Sequence, residues 1–312
     1  MRVVQDDLIM SRLKVSLVVF LQVLDIRSNS HLQELPPSII KLKRLICLQF
    51  DSYDMTVIPD GFGNLTSLEV LNEILASLNI LIELCNLTRL RVLTIGFYDD
   101  LSLDVEGAFV ESVCKLTNIQ SLTLWGSFQS TDLFGGRWVP SQHLRIFNWF
   151  DVGVFSTLPA WIRRYSSHLS NLSELRIRVK NLQEEDLQVL GRLPSLRVLY
   201  LRSTHQTERL LVIGADAFHC RTTFAVYLTP PAQIMFGGGV LPRAEEVHFR
   251  FGVQLAKDEG NDDFDSGLGN LLQSLVVEFS KNEPLTILGG EENGGCAQAP
   301  TPGSSESPQN SH

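Results

Sequence analysis

The residues best suited to covalent or metal chemistry are seven histidines and five cysteines, and they are scattered along the 312-residue chain. The sequence has no HExxH zinc motif, no GxSxG nucleophile motif and no CxxC pair. Without a nucleophile or base beside a partner group, the sequence predicts neither an enzyme nor a metal or cofactor site. The cysteines are expected to be reduced, mostly buried thiols in a cytoplasmic protein. They are Cys47, Cys85, Cys114, Cys220 and Cys296.

The remaining chemistry is non-covalent, and the charge balance limits its partners. The formal net charge is −9, from 26 basic and 35 acidic residues. Because phosphate binding needs clustered Lys and Arg, this balance argues against a general nucleic-acid or anionic-membrane binder. The apolar run VSLVVFL at 15–21 is much shorter than the roughly 20 residues of a membrane span. We interpret it as a first, damaged strand and predict no membrane span.

The sequence contains an internal repeat, and its fold determines where the residues that bind a partner lie. The pattern LxxLxL recurs, with first positions mostly 22 to 29 residues apart, the window of leucine-rich repeats. Each copy predicts one short strand, and neighbouring copies must stack because one unit cannot bury its own leucines. The clear copies are Leu21-Leu24-Ile26, Leu45-Leu48-Phe50, Leu90-Leu93-Ile95, Ile119-Leu122-Leu124, Leu144-Phe147-Trp149, Leu172-Leu175-Ile177 and Leu196-Leu199-Leu201; weaker copies are Leu68-Leu71, Ala244-Val247-Phe249 and Leu272-Leu275-Val277, with one more near Phe224 and Val226.

The predicted fold is an α/β leucine-rich-repeat solenoid, or horseshoe, of about nine to eleven units. Parallel strands should line its concave face, with irregular helices and turns opposite. The predicted organisation is an irregular N-terminal segment at 1–19, repeats at 20–288 and a disordered Gly/Pro/Ser-rich tail at 289–312. A Gly-rich loop at 128–142 and an acidic loop at 254–269 should interrupt the repeats.

The x positions of LxxLxL predict the candidate binding surface. Side chains alternate along a strand with period two, so these positions face away from the buried leucines. Stacked strands then build columns of exposed residues, and aromatic side chains beside arginines are the usual composition of binding hot spots. Alternatively, such columns only solvate the sheet. The candidate partner-binding residues are Trp125, Asn148, Phe150, Arg176, Arg178, Tyr200, Arg202, His248 and Arg250.

Several stretches resemble one family. GNLTSLEVL at 63–71, LCNLTRLRVLTI at 84–95 and VIGADAFHC at 212–220 resemble the C-terminal repeat region of plant coiled-coil NLR disease-resistance proteins, of the type common in grasses. The resemblance covers roughly residues 20–280. It implies a role in plant defence, with repeats that recognise a pathogen effector or a guarded host protein, or that regulate the NLR nucleotide-binding domain. These 312 residues contain no GxxxxGK[ST] phosphate loop, so no ATP site is carried over.

Two alternatives remain open. A general intracellular leucine-rich-repeat scaffold for signalling proteins would use the same surface without a nucleotide switch. A secreted receptor ectodomain would use the sequons at Asn64, Asn86 and Asn171 as glycan sites. We favour a structural interpretation of these sequons. The sequences NLT and NLS are typical of the returning segments in this family, and the middle leucine of each is a core position of the repeat.

Overall fold

The computed structural model describes residues 2–4, 20–27, 34–50, 57–97, 103–126, 134, 136–149, 153–206, 210–214, 217–220, 223–229, 233–236, 246–250 and 275–277. Within these ranges, one parallel sheet of twelve strands and a second sheet of two strands form. The strands are β1 (Arg2–Val4), β2 (Val23–Asp25), β3 (Cys47–Gln49), β4 (Val70–Leu75), β5 (Val92–Phe97), β6 (Ser121–Gly126), β7 (Ile146–Asn148), β8 (Glu174–Val179), β9 (Val198–Gln206), β10 (Leu210–Ile213), β11 (Thr223–Thr229), β12 (Gln233–Phe236), β13 (Glu246–Arg250) and β14 (Leu275–Val277).

The large sheet confirms the predicted solenoid, because its strands follow one another in chain order and every pairing is parallel. The middle residue of each LxxLxL copy lies opposite the middle residue of the next. Leu175, for example, pairs with Phe147 on one side and Leu199 on the other. The weak copies keep this register, since Phe224 pairs with both Leu199 and Val247. The hydrophobic period therefore predicted even the degenerate strands.

The returning segments are mostly short helices and turns, as predicted. The α-helices are α1 (Leu78–Leu84), α2 (Leu103–Lys115), α3 (Ala160–Arg164) and α4 (Glu184–Gly191), with short 3-10 helices at Pro37–Lys41, Phe62–Asn64 and Ser166–His168. None of the helices within the described ranges is long and apolar enough to cross a membrane.

Three strands were not predicted, namely β1, β10 and β12. The strand β1 pairs with β2 inside the segment 1–19 that the sequence indicated as irregular, and its three residues hold no copy of the repeat pattern. As a result, the described sheet has one strand more than the upper estimate of eleven units. The pair β10 and β12 forms a small parallel sheet, and β10 packs beside α4. The returning side therefore contains strands as well as helices and turns. Residues 15–19, 254–269 and 289–312, for which a strand, a loop and disorder were predicted, lie outside the described residues.

The insertion at 128–142 supplies core aromatic residues, although its Gly-rich composition predicted only a loop. Phe134 and Trp138 are both 2% exposed and stack with ring centroids 4.7 Å apart. Trp138 also lies edge-to-face on Trp161, at 4.9 Å. Trp161 in turn packs on Phe147 of β7, at 4.8 Å. We call this set, with Trp149 and Phe155, the aromatic cluster. It joins the insertion, the sheet and α3.

An ion pair between a buried carboxylate and a partly exposed arginine connects two neighbouring returning helices. Asp186 of α4 is fully buried, and the Arg163 guanidinium of α3 donates to its carboxylate from both Nε, at 2.9 Å, and Nη2. The other carboxylate oxygen accepts the Gln183 backbone N–H at 3.0 Å, which completes a capping box at the start of α4. Acidic residues in the first turn also suit the positive end of the helix dipole.

The VIGADAFHC stretch has a packing role. Phe218 is 1% exposed, stacks edge-to-face on Phe224 at 4.9 Å, and donates its backbone N–H to the Gly191 carbonyl. A Cβ at Gly191 would lie 2.8 Å from the Ala217 Cβ, so only glycine permits this approach. This part of the motif therefore docks one repeat onto the end of α4 in the preceding repeat.

Candidate binding surface

The sheet has one buried face and one partly exposed face. The candidate residues whose side chains the structure describes lie on the second face: Trp125, Asn148, Arg176, Arg178, Tyr200 and Arg202. In β8 the burial alternates along the strand, with Leu175, Ile177 and Val179 fully buried and the residues between them half-buried. This is the period of two expected for a strand packed on one face. The leucine period thus decides which side chains a partner can reach.

One column of outward residues crosses the middle strands. The register places Thr123, Asn148, Arg176 and Tyr200 opposite one another on β6 to β9, and all four are half-buried. The next residue in the column, Ala225, is fully buried. His248 follows it in the register on β13. The structure therefore brings Asn148, Arg176 and Tyr200 together, as the sequence predicted.

A second column lies two residues further along the strands. Arg178 pairs with Arg202, and Arg202 with Tyr227, while Arg250 occupies the next register position. Arg178, Arg202 and Tyr227 are half-buried. Phe150, the candidate that would extend this column, lies outside the described residues. The described part of the column is therefore basic, with one aromatic residue.

Two contacts fix the Arg176 side chain on this surface. Its guanidinium carbon lies 4.2 Å from the centre of the Tyr200 ring, a cation–π contact across two strands. Its Nε donates to the Glu174 carboxylate at 2.6 Å on the same strand. Two contacts from one guanidinium hold both the arginine and the tyrosine in place. Preorganised aromatic and arginine side chains bind with a smaller loss of side-chain entropy.

Trp125 lies at the other side of the same surface, and the position of its indole ring requires a glycine on the neighbouring strand. Trp125 pairs with Gly96 of β5, and a Cβ at Gly96 would lie 2.2 Å from the indole ring. The ring therefore lies directly over the glycine backbone. Its half-buried position comes from this close approach, which the repeat pattern alone did not predict.

Gly96→Ala is expected to displace the Trp125 indole and to lower the free energy of unfolding by about 1–3 kcal/mol, the usual cost of overpacking. Tryptophan fluorescence and urea unfolding would measure the two effects. Gly107→Ala is the matched control, because Gly107 lies in α2 with no atom within 4 Å of its added Cβ. That control should stabilise the protein by about 0.5–1 kcal/mol through helix propensity. Equal effects of both variants would contradict the packing of Trp125 on Gly96.

A polar groove borders this surface where strands β7 to β9 begin. Its volume is about 290 Å³, and Arg145 and Arg197 line it together with Ser173, Glu174 and Ser195. Sequence reasoning did not single out these arginines. Each arginine directly precedes its strand within the sequence pattern LR[IV][FL]. This pattern recurs at the same place in the repeat, and it could have predicted that the two arginines lie on the same edge of the sheet. Glu174 lines the groove and also accepts the hydrogen bond from Arg176 of the first column.

The cysteines differ from expectation in their burial. Within the described residues, Cys47, Cys85, Cys114 and Cys220 form no disulfide. Three of them are half-buried and Cys114 is exposed, so the prediction of mostly buried thiols is wrong. Cys296 lies outside the described residues. Desolvation raises the pKa of the Cys114 thiol, and this effect outweighs the opposite effect of the nearby Arg137 guanidinium. A raised pKa leaves less thiolate at neutral pH, and so a less reactive cysteine.

The chemistry of the surface is that of non-covalent recognition. Arginine, tyrosine, tryptophan and asparagine supply hydrogen bonds, positive charge and flat apolar area, which suit a protein partner. In the part of the chain that the structure describes, no group of three or more His, Cys, Asp or Glu side chains could hold a metal ion. The sequon leucines Leu65, Leu87 and Leu172 are fully buried, as their place in the repeat predicted.

Comparison with known proteins finds leucine-rich repeats. A solved leucine-rich-repeat protein of Leptospira interrogans is similar to the chain, with 20% sequence identity and a TM-score of 0.40. The alignment covers 60% of this chain and 50% of that protein, so the chain spans about half its length. No curated protein sequence matches the chain. The family model described as "Leucine-rich repeat region" matches residues 14–283. The chain therefore belongs to the leucine-rich repeat region family.

Proposed function

We propose that this chain is the repeat region of a plant coiled-coil NLR disease-resistance protein of the type found in grasses, and that it acts in the cytoplasm. Its partly exposed sheet face binds a pathogen effector or a guarded host protein, or the nucleotide-binding domain of an NLR. The sequences at 63–71, 84–95 and 212–220, which resemble those of plant NLR repeats, support this proposal. The packing of Phe218 on Gly191 is a structural reason for the sequence VIGADAFHC at 212–220.

The observation that carries the binding role is the ordered Arg176–Tyr200 pair at the centre of the outward columns. Arginine and tyrosine are enriched among residues that contribute most to protein–protein binding. Here both are half-buried. Glu174 holds Arg176, and Arg176 in turn contacts the Tyr200 ring. In a full receptor, a ligand that binds this face better in one conformation than in another would shift the switch toward that conformation.

The test compares two four-residue variants in binding to any effector or host protein that the full chain captures in a pairwise interaction screen. The face variant replaces Arg176, Arg178, Tyr200 and Arg202 with alanine. The control replaces four exposed residues of the returning segments and removes the same positive charge: Lys41, Arg89, Gln188 and Arg192. We expect the face variant to bind at least about 100-fold more weakly, since two or more hot spots are lost.

Circular dichroism and the urea midpoint would establish that both variants are folded. Unchanged binding by a folded face variant would contradict the proposed surface. A nucleotide-binding segment in the native transcript upstream of Met1 would favour the receptor role over the general scaffold. Glycosidase sensitivity of the native protein would instead support a secreted ectodomain.

A further inference from the structure

The polar groove at the start of β7 to β9 is lined by two arginines that have no anionic partner in the fold. Arg145 and Arg197 are both exposed. Within the described residues, neither side chain forms a salt bridge or a hydrogen bond. We call these two residues the groove arginines. Because both are exposed, a ligand in the groove can reach both guanidinium groups from solvent.

The repeat places a serine between the groove arginines. The Ser173 backbone N–H donates to the Arg145 carbonyl at 2.8 Å, and the Arg197 backbone N–H donates to the Ser173 carbonyl at 2.8 Å. The three residues therefore lie side by side, each directly before its strand, and the two arginine backbones are roughly 10 Å apart, two strand spacings. Serine is small, so the space between the two long side chains stays open as a groove.

An arginine at the same repeat position elsewhere in the sheet does have a partner. Arg91 directly precedes β5 and forms a salt bridge, at 3.5 Å, with Glu69, which directly precedes β4. No such carboxylate is available to the groove arginines, because Glu174, the one acid that lines the groove, accepts a hydrogen bond from Arg176 at 2.6 Å. An excess of positive charge therefore remains in the groove, and it attracts an anion.

The donors of the groove suit a phosphate monoester better than a carboxylate. Besides two guanidinium groups, the groove has the Ser195 hydroxyl, which forms no hydrogen bond within the described residues. A phosphate monoester has three acceptor oxygens and a charge near −2 at neutral pH, so it can accept from all three groups at once. A carboxylate has two oxygens, and a single guanidinium in bidentate contact uses both.

The same groove is unsuited to a nucleotide or a nucleic acid. Single-stranded nucleic acids are held by stacking of the bases on aromatic side chains as well as by charge. The lining residues are Arg145, Asn171, Ser173, Glu174, Ser195, Arg197 and Val198, and none of them is aromatic. The groove therefore offers recognition of the phosphate group without recognition of a base.

We propose that the groove binds the phosphate of a phosphorylated serine or threonine on the protein partner. This inference rests on the proposed function, because it adds an anchor to a partner that binds the adjacent sheet face. Glu174 lines the groove and holds Arg176 of that face, so one partner can cover both. Clustered arginines are a recurring means of recognising phosphorylated peptides.

The probe is the fluorescein-labelled peptide Gly-Gly-phosphoserine-Gly-Gly, and the readout is fluorescence anisotropy with the full chain. The variant R145Q/R197Q removes both charges of the groove. The control R89Q/R91Q removes the same charge from exposed residues at the start of β5. We expect R145Q/R197Q to bind about ten-fold more weakly or worse, since charge-assisted hydrogen bonds are lost. The control should bind within about two-fold of the wild type, because Arg91 is already paired.

A second variant tests the groove with both arginines in place. Ser173→Glu puts a carboxylate between the groove arginines and fills the space that the phosphate would occupy. We expect it to lose binding of the phosphopeptide as R145Q/R197Q does. Circular dichroism and the urea midpoint would establish that each variant is folded. Full binding by a folded Ser173→Glu protein would place the phosphate elsewhere and overturn the proposal.

Matched ligands decide the chemistry and its source. The unphosphorylated peptide should not bind, and the peptide with glutamate in place of phosphoserine should bind more weakly than the phosphopeptide. The proposal fails if the phosphopeptide does not bind the wild type, or if R145Q/R197Q and R89Q/R91Q lose binding equally. It also fails if inorganic phosphate or a six-nucleotide single-stranded DNA binds as tightly as the phosphopeptide.

The outcome is separable from that of the proposed function, because the four-residue face variant leaves the groove arginines unchanged. If the phosphopeptide fails to bind but the face variant loses its protein partner, the sheet face binds without a phosphate anchor. If the face variant keeps its partner, the proposed function itself fails, whatever the phosphopeptide does.

Discussion

Replacing Trp161 with alanine is expected to lower the free energy of unfolding by about 3–5 kcal/mol, the cost of a large cavity in a core. Trp161 is 1% exposed and contacts Trp138 and Phe147 edge-to-face. Its loss would free the insertion and α3 from the strand β7, which carries Asn148. Urea unfolding followed by circular dichroism would measure the change.

Two further variants separate the cavity from other effects. Trp161→Phe keeps an aromatic ring and removes an indole N–H that has no partner in the described structure, so it should cost less than Trp161→Ala. Phe20→Ala removes an aromatic side chain that is 65% exposed and should change stability by about 0.5 kcal/mol or less. A similar loss in Phe20→Ala and Trp161→Ala would contradict the role of the aromatic cluster.

Arg163→Ala should be nearly as damaging, at about 3–5 kcal/mol, because it leaves a buried carboxylate without its counter-charge. Asp186 is fully buried, and the Arg163 guanidinium supplies its only described ion pair. The free energy of unfolding from urea titration at neutral pH is the measurement. Asp186→Ala should cost less than Arg163→Ala, since the Arg163 side chain is 40% exposed and would remain solvated.

Arg164→Ala is the matched control for the ion pair. Arg164 is the next residue on the same helix, is exposed, and makes one described hydrogen bond, to the Gly136 carbonyl at 3.3 Å. We expect its replacement to change stability by about 0.5 kcal/mol or less. If Arg163→Ala lowered the stability as little as Arg164→Ala, the Arg163–Asp186 ion pair would not hold the two returning helices together.

The repeat pattern predicted the strands and most of the candidate site for a simple physical reason. Leucine spacing sets which residues are buried, and stacking in register then sets which outward residues are neighbours. Arg176 and Tyr200 occupy the same position in successive copies, so their contact followed from the pattern. The degenerate strand at Phe224 was also found in this way, because apolar residues at two positions were sufficient.

Features that depend on contacts between distant segments were not predictable. Phe134 and Trp138 lie in a Gly-rich stretch whose composition indicates a loop, and only the neighbouring aromatic residues make it part of the core. The strand β1 has three residues and no repeat pattern, so its pairing with β2 depends on a free sheet edge. The register pairing of Arg178 with Arg202, in contrast, was implicit in the repeat spacing.

Site-specific photo-crosslinking would show directly whether the partner binds the sheet face. Benzoylphenylalanine would be placed at Ile146, a half-buried outward residue of β7 that is not itself a candidate, or at Gln188, an exposed residue of α4. In grass leaf extract, we predict crosslinks to the partner from position 146 and none from position 188. Crosslinks from position 188 alone would contradict binding at the sheet face and would place the partner on the returning segments.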